Sequence, residues 1–271
     1  MKIIAEIGWN HMGEISLAEE MILAAIGAGA NVVKFQYWDP KYLKKGAWDE
    51  DGRREIYNKA ALTLNKTEEL INISSKNNCE FLISVFGTKG AEDILSLGQR
   101  SIKIPSHETT NGKLLEFCAK NFDFIYFSAG ASTQKEIESA VQILDSEKAE
   151  YVLMHCVSSY PVDDERSNLK RIDWLKNFNE RVGLSDHTMS TLVPAIAVGY
   201  GIEVVEKHFT TDHELPGRDN KFALEPKEFE EMVKNINTAT LAIKDHGLDY
   251  QDIESDTVNN YRGRWEPHDY E

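Results

Sequence analysis

Gly183-Leu-Ser-Asp-His-Thr188, followed after one helical segment by Val204-Val-Glu-Lys-His-Phe209, is the stretch on which the reading of this chain turns. Each half is a short β-type run whose side chains alternate between two faces, so Ser185 shares a face with His187 and Glu206 with His208. One helix between them, over 191–200, makes the two strands parallel neighbours in a βαβ unit. Two histidines and a carboxylate then converge on one place, an arrangement suited to a metal ion.

The same alternation extends to both ends. Strand-like runs occur at 3–8, 31–38, 80–86, 101–106, 122–129, 151–157, 181–187 and 203–210. Amphipathic helical stretches fall at 16–28, 66–78, 89–98, 111–120, 133–146, 168–178, 191–200 and 226–245. Eight β/α units in sequence predict a closed (β/α)8 TIM barrel in the α/β class. A doubly wound open sheet is the structural rival, but no Gly-x-Gly-x-x-Gly or P-loop is present to support it. Two long insertions, 39–65 and 211–224, follow strands two and eight at the barrel end where active sites are built.

Composition narrows the function classes. The 271 residues are 41% hydrophobic, enough for a large core, and carry a formal net charge of −15. That charge argues against nucleic acid and anionic membranes as partners. No apolar run approaches a membrane span, and the strand-like residues 3–8 leave no room for a secretion signal. Cys79, Cys118 and Cys156 are odd in number and lack metal spacing, so they read as buried reduced thiols of a cytoplasmic protein.

Polar residues inside apolar strands are costly unless they face a hydrated or catalytic mouth. Glu6, Lys34, Gln36, Lys103, Ser106, Ser128, Ser185, His187, Glu206 and His208 form such a set at or near strand ends. His155 lacks a partner of that kind and reads as a core histidine. Phe35, Tyr37 and Trp38 read as packing, with Trp38 bordering the mouth, and His213, His246 and His268 read as exposed.

Seven segments together resemble the barrel domain of sialic acid (N-acetylneuraminate) synthases: Ala5-Glu-Ile-Gly-Trp-Asn-His-Met-Gly13, Val32-Val-Lys-Phe-Gln36, Ile102-Lys-Ile-Pro-Ser106, His155-Cys-Val-Ser-Ser-Tyr-Pro161, Gly183-Leu-Ser-Asp-His-Thr188, Glu206-Lys-His-Phe209 and Pro216-Gly-Arg-Asp219. The resemblance runs over about residues 3–265. It implies condensation of phosphoenolpyruvate with the aldehyde of an amino or N-acyl sugar, giving a 2-keto-3-deoxy ulosonic acid and phosphate.

The resemblance also implies roles. His187 and His208 hold a divalent metal, Mn²⁺ by preference, acting as a Lewis acid on the aldehyde. Lys34 and Lys103 hold phosphoenolpyruvate with Ser106, Ser128, Ser185 and Tyr160. Glu6, Glu206 and Asp219 fall at sugar-side positions, Gln36 is a further substrate-binding candidate, and Glu108 falls near the reacting carbons, where a carboxyl can position water or move protons. Glu108, Glu6 and Glu206 are the catalytic candidates.

Three local departures accompany these matches. Ser84-Val-Phe-Gly87 stands where the family has Ser-Thr-Pro-Phe, so Val85 is expected to remove a hydroxyl from the phosphate site. Ser158 replaces an asparagine, and Pro105 with His107 interrupts a glycine-containing segment.

The barrel domain is expected over 1–250, with 251–271 resembling the start of the family's interdomain linker. A homodimer or a separately encoded antifreeze-like domain is the partner this implies. Two other readings stay open at this stage. One is a metal-assisted aldolase or epimerase that does not use phosphoenolpyruvate, which Val85 and Ser158 favour. The other is a catalytically weak sugar-binding barrel needing a partner domain.

Overall fold

The computed structural model describes residues 1–265; His268 lies outside the described residues. Eight strands close into one barrel in sequence order. They are β1 Lys2–Gly8, β2 Val32–Tyr37, β3 Glu80–Val85, β4 Ser101–Ile104, β5 Phe124–Ser128, β6 Tyr151–Cys156, β7 Val182–Asp186 and β8 Val204–His208. All neighbours are parallel, including β1 with β8, so the (β/α)8 expectation holds.

The helices are α1 Ile15–Gly27, α2 Arg53–Ala60, α3 Leu64–Lys76, α4 Thr88–Ser96, α5 Gly112–Asn121, α6 Gln134–Ser146, α7 Arg171–Leu175, α8 Val193–Val198 and α9 Pro226–Ala242. Two are shorter than their sequence pattern suggests. Ahead of α7, Asn168 adopts φ 48°, a left-handed conformation that a helix cannot continue through. In α8, Pro194 occupies the first turn, and Leu192 before it is the N-cap.

The period of two divides the interior into layers. Ile4, Val32, Leu82, Tyr126, Val152, Met154 and Val204 form a small apolar cluster of their own inside the barrel. Their neighbours of opposite parity, such as Ala5, Val33, Ile83, Phe127, Leu153 and Val205, belong to the larger core between strands and helices. Two residues further along the inward face the chemistry changes to Glu6, Lys34, Ser84, Ser128, Cys156 and Glu206, all buried. An apolar plug therefore closes one end of the barrel and supports a polar floor at the C-terminal ends of the strands.

The 39–65 insertion is not a plain loop: it contains two short 3₁₀ turns, Pro40–Tyr42 and Ala47–Asp49, and then α2. Its helix docks closely on the turn after β1. Gly13 has φ +80°, and a Cβ there would lie 2.2 Å from the Lys59 carbonyl oxygen, so only glycine fits. Beyond α9, residues 244–265 are exposed almost throughout. No helix among the described residues is long and apolar enough to cross a membrane.

Candidate active site

The polar floor opens into a cavity of about 1000 Å³. Glu6, Lys34, Gln36, Lys103, Ser106, Glu108, Ser128, Tyr160, Ser185, His187, Glu206, His208 and Asp219 all line it, so every residue picked out from the sequence faces the same space. His155 does not; it is fully buried, and its Nε2 lies 2.7 Å from the Ser167 carbonyl. His246 is exposed as expected, whereas His213 is half-buried with Nε2 2.8 Å from the Ala223 carbonyl.

At the floor, two lysines and two carboxylates interlock. Lys34 Nζ lies 2.7 Å from Glu6 and 3.6 Å from Glu206, and Lys103 Nζ lies 2.5 Å from the other oxygen of Glu206. Lys34 also donates to Ser84 Oγ (2.8 Å), Gln36 Nε2 to Glu6 (2.6 Å) and Ser185 Oγ to Glu206 (3.2 Å). Burial favours the neutral carboxyl at both glutamates, but Glu206 has two ammonium groups beside it and drops to about 2. For Glu6 burial wins over Lys34, and Glu206 adds repulsion, so its pKa rises to about 7. One carboxylate is a fixed anion while its neighbour can carry a proton near neutral pH.

A second group lies beneath the Gly130 backbone. Ser106 Oγ accepts from the Gly130 N–H at 2.9 Å, and a Cβ on Gly130 would meet Ser158 Oγ at 2.5 Å, Cys156 Sγ at 2.9 Å and Ser106 Oγ at 2.9 Å. The missing side chain makes a small polar cradle. Ser128 Oγ is buried without a hydrogen-bond partner. An orphaned buried hydroxyl is costly and marks a place where a ligand oxygen fits.

Beside this cradle stand the histidines, with ring centroids 5.4 Å apart and Cys156 Sγ 3.9 Å from His187 Nδ1. His187 Nδ1 lies 2.8 Å from the Val157 carbonyl, which fixes its proton there and leaves Nε2 with a free lone pair. His208 Nδ1 is buried and unpartnered, 3.7 Å from Asp219 Oδ2, and burial followed by the nearby His187 and Lys34 keeps this ring neutral. Asp219 is itself raised to about 6 by burial. Tyr160 packs on His187 at 4.2 Å between ring centroids. Among the described residues no three His, Cys, Asp or Glu groups form a ready-made metal cage. The donor set is a pair of imidazoles with adjacent open space, which suits an ion that also takes substrate or water.

Four placements differ from the sequence reading or escaped it. Val85 faces away from the cavity: it is fully buried in the core between strands and helices and borders Gly90. The inward residue of β3 is Ser84, so the expected loss of a hydroxyl through Val85 does not occur. Glu108, half-buried and bonded to Asn111 at 2.6 Å, lines the outer cavity rather than joining the lysine–glutamate floor. Cys156 is not merely a small core residue; its Sγ lies 3.9 Å from His187 Nδ1, and although burial acts to raise its pKa, His187 and the hydroxyls of Ser106 and Ser158 together outweigh that and bring it to about 7. Its parity with Met154 was the readable signal. Trp9, just after β1, is buried in the cavity wall, and nothing in its type announced that.

Fold and site together define a (β/α)8 barrel whose lysines, carboxylates, hydroxyls and imidazoles line one cavity at the strand C-termini. The sequence model of the NeuB family matches residues 21–247. Among curated relatives, N,N'-diacetyllegionaminic acid synthase of Legionella pneumophila is 34% identical over 254 residues, covering 88% of this chain and 71% of its own. N-acetylneuraminate-9-phosphate synthase of Drosophila melanogaster is 33% identical, covering 89% and 68%. Among solved structures, N-acetylneuraminic acid (sialic acid) synthetase of Leptospira borgpetersenii superposes with a TM-score of 0.87 at 32% identity, covering 97% of this chain and 92% of that one. The chain belongs to the NeuB family, and it is a carbon–carbon bond-forming transferase of the sialic acid synthase type.

Proposed function

We propose that this enzyme condenses phosphoenolpyruvate with the aldehyde of an amino or N-acyl sugar, releasing phosphate and forming a 2-keto-3-deoxy ulosonic acid. The observation that carries the reading is the convergence of two buried lysines, the Gly130 cradle and two imidazoles on one cavity. The ammonium groups of Lys34 and Lys103 straddle Glu206, and an incoming carboxylate or phosphate competes with Glu6 and Glu206 for them. The hydroxyls of Ser106, Ser128 and Ser158, with Ser185 beside Glu206, supply neutral donors to the same anion.

In the reaction, carbon 3 of phosphoenolpyruvate forms a bond to the aldehyde carbon, whose oxygen takes up a proton. Water adds to carbon 2, losing a proton, and the tetrahedral product expels inorganic phosphate by carbon–oxygen cleavage. Glu6, poised near 7 beside Gln36, is suited to give or take one of these protons and to bind a sugar hydroxyl. Glu206 holds the two lysines in register. Glu108 and Asp219 flank the sugar. His187 and His208 would hold a divalent ion, Mn²⁺ by preference, which when bound supplies Lewis-acid polarisation of a carbonyl oxygen. Val85 no longer favours an aldolase or epimerase reading, because it is outside the cavity.

The test is phosphate release from phosphoenolpyruvate with Mn²⁺, with and without chelator, across acylated and unacylated aldoses. Sugar-dependent, chelator-sensitive release is expected; its absence with every sugar would sink the reading. His187→Ala and His208→Ala should each weaken Mn²⁺ binding about tenfold or more by calorimetry while circular dichroism stays unchanged. Metal affinity retained in both variants removes the imidazoles from that role.

A further inference from the structure

The 211–224 loop leaves β8 and returns to it. Leu224 N–H donates to the His208 carbonyl at 2.9 Å and Thr210 N–H to the Leu224 carbonyl at 3.0 Å, so both ends of the loop lie beside the strand end that carries His208. Within the loop, Asp219–Phe222 forms a 3₁₀ turn. Side chains three residues apart eclipse in such a turn, so Asp219 and Phe222 share a face. That face meets His208: Asp219 Oδ2 lies 3.7 Å from Nδ1, and the Phe222 ring centroid lies 5.1 Å from the imidazole.

Asn220, one position on from Asp219, is instead fully buried within the loop. Its Oδ1 accepts from the Thr210 hydroxyl at 2.6 Å, and its Nδ2 donates to the Pro216 carbonyl at 3.0 Å and the Leu215 carbonyl at 3.4 Å. One side chain thereby links the start of the loop, its middle and the turn. The fit is close: Gly217 has φ +127°, and a Cβ there would lie 3.0 Å from Asn220 Nδ2 and 3.3 Å from Met12 Sδ. Thr210 is as fully buried as Asn220, and neither lines the cavity, so their effect on a bound molecule passes through the turn they hold.

We propose that Asn220 and Thr210 are positioning residues for the condensation: together they clasp the loop shut and hold the Asp219 carboxyl beside His208. The inference rests on the condensation reading for the sugar that Asp219 meets. Lys34, Lys103 and the Gly130 cradle stand on β2, β4 and the turn after β5, outside this loop. Loss of the clasp is therefore felt by the sugar and not by phosphoenolpyruvate.

The experiment measures phosphate release by the full chain with Mn²⁺ and the aldose that the wild type uses best, varying each substrate in turn. Thr210→Val and Asn220→Ala should each raise the KM for the sugar about tenfold or more, the scale of a misplaced substrate contact, while the KM for phosphoenolpyruvate stays within about threefold of wild type. Partial misfolding lowers the number of active sites and hence kcat, not one KM alone. Thr210→Ser keeps the hydroxyl and should restore both KM values. A sugar KM within about threefold of wild type in both variants, an equal rise in both KM values, or a Thr210→Ser enzyme as impaired as Thr210→Val overturns the proposal. If no aldose supports release, the condensation reading fails separately, and limited trypsin digestion decides the clasp. Cleavage after the exposed Arg218 and Lys221, relative to cleavage after the exposed Arg166 in the same digest, should then rise about tenfold in Thr210→Val, and an unchanged ratio overturns the proposal.

Discussion

Glu6 and Glu206 sit on neighbouring strands, share Lys34 and carry opposite pKa shifts. That contrast has a consequence for stability with a definite sign. Glu6 rises from 4.5 to about 7, so its protonated form is favoured by folding; the stability it contributes is full below about 4.5 and is lost as pH rises through about 7. Glu206 falls from 4.5 to about 2, so its contribution is present above 4.5 and is lost as pH falls through about 2. Between pH 5 and 8 only Glu6 of this pair changes. Urea titrations of metal-free protein should therefore show wild type losing stability relative to Glu6→Gln across that window, by at most about 1.4 kcal/mol per pH unit, the limit for one proton. A difference that is flat with pH, or that grows in favour of wild type, contradicts the assignment. At this scale the sequence revealed residue type and facing: period-two parity placed Glu6, Lys34, His187 and His208 on the inward side. It did not reveal partners. Lys34 and Lys103 read as cations facing an anionic substrate, and only the closed barrel shows that Glu6 and Glu206 are the carboxylates that pair with them.

Between elements, the motif Glu206-Lys-His-Phe209 serves both faces of β8. Glu206 and His208 look inward, while Lys207, buried at 1% exposure, reaches across to β7, where Asp186 Oδ2 lies 2.5 Å away and the carbonyls of Thr188 and Ser190 accept at 2.5 and 3.0 Å. Asp186 in turn accepts from the Thr188 hydroxyl at 2.8 Å. This network ties the start of the His187–Thr191 turn to β8 and so fixes the relative position of the two imidazoles. Removing one partner leaves a buried charge uncompensated, so Lys207→Met should cost about 3–5 kcal/mol in urea unfolding. The double variant Lys207→Met, Asp186→Leu should recover part of that loss but still weaken Mn²⁺ binding, because the turn is no longer held. A single-variant cost under about 1 kcal/mol would mean that the pair is better hydrated than its burial implies. Strand and helix order was legible here because each apolar run is short and bounded. What escaped was the role of Lys207, since an outward lysine in a strand looks like a surface residue until the helix that covers it is known, and the shape of the 39–65 insertion, whose helix depends on docking against Gly13 rather than on a strong pattern of its own.

For the whole molecule, the eight-unit alternation predicted closure once the lack of a Gly-x-Gly-x-x-Gly or P-loop had set aside an open doubly wound sheet. The field of the whole molecule is less obvious from any one segment. The formal net charge is −15, and the two buried lysines at the cavity floor are each matched by a glutamate within ion-pairing distance. An arriving multivalent anion such as phosphoenolpyruvate therefore meets a surface that repels it at range and a floor that attracts it only after local ion pairs exchange. Long-range repulsion between solvent-exposed charges is screened within about 8–10 Å at physiological ionic strength, whereas contacts at the buried floor are screened much less. Raising salt from about 10 to about 150 mM with a non-coordinating monovalent electrolyte should then lower the KM for phosphoenolpyruvate, by about twofold or more, with little change in kcat. For a site whose attraction reached out into solvent the sign would be opposite, and KM would rise with salt. A measured rise would place the dominant cations at the rim, on Lys44, Lys89 and Arg218, and would shift anion recognition from the floor to the mouth.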